Sequence, residues 1–165
     1  MKAVIQRVLD ASVSVNGVIK GEINSGLLVY LGVAQDDNET DVIWLTEKIA
    51  NLRIFNDDEG RMNLSIKDIT LKENQNIQNS KIGVQNTTGV LVISQFTLLA
   101  DARKGRRPSW NGAAVPEKAN KLYEYFISEI KKHELVCHNG EFQAHMKVTY
   151  TNDGPVTIIL DTKDK

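Results

Sequence analysis

Hydrophobic and polar positions divide the chain into short strands and two helices. Val90, Leu91, Val92 and Ile93 form an unbroken apolar run after Gly89. A run this short, rich in β-branched residues and bounded by glycine, reads as a strand covered on both faces. Polarity then changes abruptly at Ser94, Gln95 and Thr97, around Phe96. Hydroxyls and an amide at the end of a buried strand need partners, since desolvating them alone costs free energy. Backbone, water or a ligand would serve, and the ends of central strands are common places for ligands.

Upstream, Val4, Val8, Val13 and Val15 stand among polar residues, and Asn16-Gly17 between Val15 and Val18 is a strong hairpin signal. Strands are expected at about 2–8, 11–16 and 18–23, with Arg7 either a buried or interfacial pairing group or a solvated edge position. Gly26 introduces another apolar strand, LLVYLGVA. Asn38 suits a helix N-cap, and Val42, Leu45, Ile49 and Leu52 recur at helical spacing between Glu39 and Arg53, with Trp44 on the buried side. Phe55 to Gly60 is a polar turn. Between Asn74 and Asn86, seven of thirteen residues are Asn or Gln, so Thr70–Thr88 is expected to be an extended surface loop.

Beyond the central strand, ADARKGRRPSWNG places Arg103, Lys104, Arg106 and Arg107 within five residues, with Trp110 close behind. Such a cluster can hold phosphates, and it is also common on ordinary solvated surfaces. Pro116 suits the first turn of a second helix whose stripe is Ala119, Leu122, Phe126 and Ile130. Further strands are expected at Glu134–Cys137, Met146–Thr151 and Val156–Leu160. The intervening Asn152-Asp153-Gly154-Pro155 reads, on its own, as a hairpin turn.

Composition changes this picture little. At 165 residues the chain suits a single domain spanning 1–165, and 41% apolar with 25% charged residues is ordinary for a globular protein. No apolar run is long enough to span a membrane, and no basic-then-apolar leader is present. Cys137 stands alone, which fits a reducing cytoplasm. A formal charge of −1 argues against coating nucleic acid through bulk charge but leaves room for a local basic patch.

Candidate chemistry is limited. A nucleophilic hydroxyl needs a base, yet His133, His138 and His145 are remote in sequence from Ser94 and Thr97, and no G-x-S-x-G elbow surrounds Ser94. Cys137, His138 and His145 lack a recognised zinc spacing, and neither a dinucleotide fingerprint nor a Walker loop is present. No metal or cofactor is therefore expected. What remains is a site of backbone groups, hydroxyls and an amide.

The motifs together resemble those of the D-aminoacyl-tRNA deacylases almost end to end: MKAVIQRV at the start, NLRIF at 51–55, SQFTL at 94–98, KGRRP at 104–108 and NDGPVT at 152–157. SQFTL and GPVT in that order form a specific signature. The Asn-rich stretch at about 70–88 departs from the pattern and is expected to be a loop insertion. The resemblance implies an α/β (α+β) single domain: a mixed, largely antiparallel, barrel-like sheet with two main amphipathic helices.

The resemblance also implies hydrolysis of the ester joining a D-amino acid to tRNA, and of glycyl-tRNA mischarged on the alanine tRNA. It implies a cytoplasmic homodimer whose sites combine SQFTL of one chain with GPVT of the other. Gly154-Pro155 would be a cis peptide reaching into the partner's pocket, where its main-chain oxygens exclude L-amino acids. Gln95 and Thr97 are then the catalytic candidates, with Ser94, Phe96, Gly154 and Pro155 contacting substrate. Polarisation of the ester for attack by water is favoured over a Thr97 nucleophile. Arg103, Lys104, Arg106 and Arg107 are expected on acceptor-stem phosphates. Phe142 and Met146 are expected either against the terminal adenine or in the core. Two other classes remain: a tRNA-binding module without catalysis, and a small-ester hydrolase with a conventional nucleophile.

Overall fold

Strand β1 (Lys2–Val15) runs through the middle of the fold and pairs antiparallel with three others. Its first half lies beside β3 (Gly26–Gly32), its second half beside β2 (Val18–Ile23), and its other edge beside β8 (Lys147–Asp161). β3 continues in parallel to β6 (Gly89–Ser94), and β6 to β7 (Val136–Asn139). The sheet curls until β2 returns to β7, where a Cβ at Gly21 would lie 3.0 Å from the Asn139 carbonyl oxygen. This is the expected mixed, barrel-like α+β architecture. The computed structural model describes residues 1–79 and 88–165.

Three helices are described, one more than the sequence suggests. α1 (Glu39–Ala50) and α3 (Pro116–Lys132) pack on one face of the sheet, sharing a core with Leu27, Val29, Val90 and Val92. Asn38 caps α1 as expected: its side chain accepts from the Thr40 amide at 2.9 Å, and Asp41 accepts from the Asn38 amide at 2.9 Å. A two-stranded ribbon, β4 (Phe55–Asn56) and β5 (Met62–Leu64), leads into α2 (Ile66–Asn79).

α2 corrects the expectation of an extended loop, as far as Asn79; residues 80–87 lie outside those described. The reason is a reciprocal cap. Asp68 accepts from the Ser65 amide at 2.8 Å, the Asp68 amide donates to Ser65 Oγ at 3.2 Å, and Ile66 is fully buried below. Once the first turn is capped and anchored, the Asn- and Gln-rich residues extend it at modest propensity cost.

Other boundaries shift for local reasons. The segments expected at 2–8 and 11–16 are one strand, because Leu9 is absorbed as a bulge between Val8 and Asp10 and turns outward, 56% exposed. Asn16 and Gly17, with φ of 50° and 79°, make the tight hairpin the sequence predicts. The strand expected at 134–137 begins two residues later, since Glu134 adopts φ 61° after the end of α3. α1 stops at Ala50 rather than Arg53, with Asn51 as its C-cap.

Cys137 is buried against the helix-side core, and burial pushes its thiol up to about 12. Native protein at pH 8 is therefore expected to resist a thiol-specific reagent, with one equivalent reacting only after denaturation. Because the folded thiol keeps its proton while the unfolded one loses it, stability is lost as pH rises from about 9 towards 12. Rapid modification of native protein at pH 8 contradicts this placement.

Candidate active site

The four apolar residues of β6 are each at most 1% exposed, and where the strand emerges from the core the chain tightens into a single 3₁₀ turn, Phe96–Leu99. The Gln95 amide donates to the Leu31 carbonyl at 2.8 Å, binding this turn to the end of β3. Gly32 permits the approach. A Cβ there would sit 2.4 Å from Leu99 Cδ2, 3.0 Å from the Gln95 carbonyl oxygen and 3.1 Å from Leu98 Cβ.

A cavity of about 610 Å³ opens at this point. Ser94, Gln95 and Phe96 form one wall; Phe142 and Met146, from the segment between β7 and β8, form another. Two residues that sequence spacing left apart, Tyr123 of α3 and His145, also line it. Tyr123 donates its hydroxyl to the Val92 carbonyl at 2.9 Å, and burial raises its phenol above the ordinary range, keeping it a neutral donor. Phe142 and Met146 each pack on a core cluster, the second of the two places expected for them, and each also lines the cavity.

Thr97 is exposed beside the cavity rather than in its lining. Its hydroxyl oxygen accepts from Gln95 Nε2. An amide that donates cannot remove a proton, so this pairing gives Thr97 no base. Among the described residues no group of three or more His, Cys, Asp or Glu side chains is placed to hold a metal ion. The same residues include no helix long and apolar enough to cross a membrane.

Gly154 and Pro155 lie elsewhere, exposed on β8 and outside the cavity lining. The expected hairpin is instead a broad bulge within one long strand: Gln6 pairs with Thr157 and Val8 with Asn152, so Asp153–Val156 all stand opposite Arg7. The Gly154–Pro155 peptide is cis, and Gly154 has φ 119°. Asn152 Nδ2 straddles the bulge, donating to the Arg7 carbonyl at 2.9 Å and to the Val156 carbonyl at 3.2 Å.

Arg7 is the buried alternative of the two the sequence allowed. Its Nη1 donates to the Ile54 carbonyl at 2.6 Å, and its Nε forms an ion pair with Asp153 Oδ2 at 2.8 Å, near in distance but not aligned as a hydrogen bond. Asn152 and Asp153 thus shape the bulge that carries Gly154–Pro155, a role that their turn-like sequence conceals.

The four cations sit on an exposed loop outside the cavity, and they are not equivalent. Arg103 grips Asp101 through Nε at 2.9 Å and Nη2 at 2.6 Å, and this contact holds the Asp101 carboxyl well below the usual carboxylate range. Lys104, Arg106 and Arg107 have no ion-pair partner among the described residues.

Residues 4–161 match the family model described as D-Tyr-tRNA(Tyr) deacylase. A D-aminoacyl-tRNA deacylase of Thermosipho melanesiensis is 50% identical over 164 residues, covering 99% of this chain and 98% of the relative, and one of Koribacter versatilis is 50% identical over 163 residues with the same coverage. Among solved structures, one titled c-Myc DNA Unwinding Element Binding Protein superposes with a TM-score of 0.82 at 35% identity, covering 98% of both chains. A probable eukaryotic D-amino acid tRNA deacylase shares the fold, with a TM-score of 0.67 at 14% identity over 96% of this chain and 97% of its own. With half of its residues shared across nearly its full length, and with SQFTL at the mouth of the cavity, the chain belongs to the D-aminoacyl-tRNA deacylase family.

Proposed function

We propose that the protein hydrolyses the ester between a D-amino acid and the terminal adenosine of tRNA, as a cytoplasmic proofreading step in translation. One observation carries this reading: the polar end of β6 meets the cavity, while Gly154–Pro155 projects from the same chain outside it. A second copy brings the two together. The homodimer has a suitable face, since Val4 pairs with both Tyr30 and Ile159 across three strands and Ile159 is 71% exposed.

In that arrangement Ser94, Gln95 and Phe96 hold the aminoacyl group, and Phe142 and Met146 pack against the adenine. Backbone and amide donors near Gln95 polarise the ester carbonyl. Water adds to the carbonyl carbon, the bond to the ribose oxygen breaks, and the ribose hydroxyl takes up a proton. The partner's Gly154–Pro155 carbonyls occupy the space an L side chain would need, so D-amino acids and glycine pass irrespective of side-chain identity. Acceptance of glycine extends the activity to glycyl-tRNA mischarged on the alanine tRNA.

Release of D- and L-tyrosine from the same charged tRNA tests the proposal: D-tyrosine alone is expected to be freed. Release of both removes the filter, and release of neither favours a binding module without catalysis.

Because Thr97 is paired to an amide, Thr97→Ala is expected to retain most hydrolysis in a folded dimer. A loss of about a thousandfold in kcat would make the hydroxyl itself a reacting group.

Gly32→Ala pushes the backbone at Gln95 and is expected to lower kcat by roughly ten- to a hundredfold while leaving a folded protein. Undiminished kcat in a folded Gly32→Ala protein would detach the 3₁₀ turn from the chemistry.

A further inference from the structure

Trp110 has no part in the site described so far, yet its position is unusually well fixed for an exposed aromatic. The loop carrying the cations is closed at its base by a two-way bridge: the Asp101 amide donates to the Ser109 carbonyl at 2.8 Å, and the Ser109 amide to the Asp101 carbonyl at 3.0 Å. Arg103 folds back on Asp101 and reinforces that closure. Trp110 follows immediately, and its own carbonyl accepts from the Ala113 amide at 2.9 Å. The main chain is therefore fixed on both sides of Trp110.

Its ring stands edge-to-face with Phe96, with centroids 5.7 Å apart and planes at 63°. Both rings face solvent, Phe96 at 59% and Trp110 at 37% exposure. Phe96 also lines the cavity. Phe96 thus links the cavity to Trp110, and Trp110 directly follows the closed loop that carries Lys104, Arg106 and Arg107. An apolar protein partner would leave those three cations desolvated without counter-charges, which is costly. A single nucleic-acid strand satisfies both features, since bases stack on aromatic rings whatever their sequence and phosphates pair with cations.

We infer that Trp110, braced by Phe96, is a stacking platform for the unpaired nucleotide that precedes the terminal nucleoside of the RNA. This rests on the reading of the cavity as the seat of a terminal aminoacyl nucleoside. The terminal nucleoside enters the cavity, the base before it lies on the indole, and the phosphates continue along Lys104, Arg106 and Arg107. Arg103, committed to Asp101, acts as a brace for the loop and contributes least to the charge felt by RNA.

The chain has two tryptophans, so Trp44→Phe leaves Trp110 as the sole indole reporter. The full-length Trp44→Phe protein is titrated with an acceptor-stem RNA hairpin carrying a single-stranded CCA end, and with the same hairpin lacking those three nucleotides. Only the CCA-ended hairpin is expected to quench the Trp110 fluorescence. In the otherwise unmodified protein, Trp110→Ala is expected to weaken binding of that hairpin about tenfold and equally at every salt concentration. Replacing Lys104, Arg106 and Arg107 with glutamine flattens the salt dependence instead.

The fluorescence readout keeps Trp110 in place, so it stands even if Trp110→Ala fails to fold. Equal quenching by the trimmed hairpin, or unchanged indole emission while the CCA-ended hairpin binds and a charged D-aminoacyl-tRNA is hydrolysed, overturns the platform and leaves the deacylase reading intact. A change in emission on raising the protein concentration without RNA overturns it in favour of a protein interface. Failure to bind either hairpin, together with no release of D-amino acid, overturns the deacylase reading and the platform with it.

Discussion

A guanidinium held inside the sheet sets the shape of everything that matters here. Arg7 sits in the middle of β1, 7% exposed, where a charge is tolerated only if partners meet it. Ile54 offers a carbonyl from the loop after α1, and Asp153 offers a carboxylate from β8. To bring Asp153 there, β8 spends four residues opposite one, and the surplus chain turns Gly154–Pro155 outward. Gly154 is suited to this corner, because at φ 119° a Cβ would come within 2.8 Å of Val156 Cγ2 and 3.3 Å of Arg7 Nη2. The ion pair and the bulge are one feature.

The cavity has a complementary logic. A fully buried strand ends in three polar residues, and the Gln95–Thr97 pair satisfies two of them internally instead of building a nucleophile and base. A scaffold of this kind contributes position and preorganised polarity, which suits attack by water on an already activated ester. Gly154 and Pro155 are not among the residues that line this cavity, so within one chain the polar end of β6 and the bulge of β8 are separate features.

Much of this was legible in the sequence where local chemistry decides the outcome. Asn16-Gly17 specified its hairpin, Asn38 its cap, and Val90–Ile93 its buried strand, because each depends on near neighbours in the chain. The order of SQFTL and GPVT identified the family without any geometry. Misreadings arose where distant chain decides. Asn152-Asp153-Gly154-Pro155 has the composition of a turn, but β1 pairs with the residues on both sides and draws them into one strand. The Asn- and Gln-rich stretch hid a helix whose start lay in Ser65 and Asp68, a cap signal only four residues long. Tyr123 and His145 join the cavity through tertiary packing that no spacing reveals. Four cations in five residues looked alike until Arg103 was found committed to Asp101.

The central claim is that the cavity of one copy works with the Gly154–Pro155 bulge of another. Mixed dimers test this directly. Gly154→Ala protein, with an intact cavity and a disturbed bulge, is expected to release both D- and L-tyrosine from charged tRNA. Gln95→Ala protein, with an intact bulge and a disabled cavity, is expected to release neither. Adding excess Gln95→Ala protein under exchange conditions should suppress L-tyrosine release while D-tyrosine release continues, because each working cavity then faces an undisturbed bulge. L-tyrosine release that persists in step with D-tyrosine, however great the excess, would show that the bulge acts on its own chain and would contradict the two-copy site.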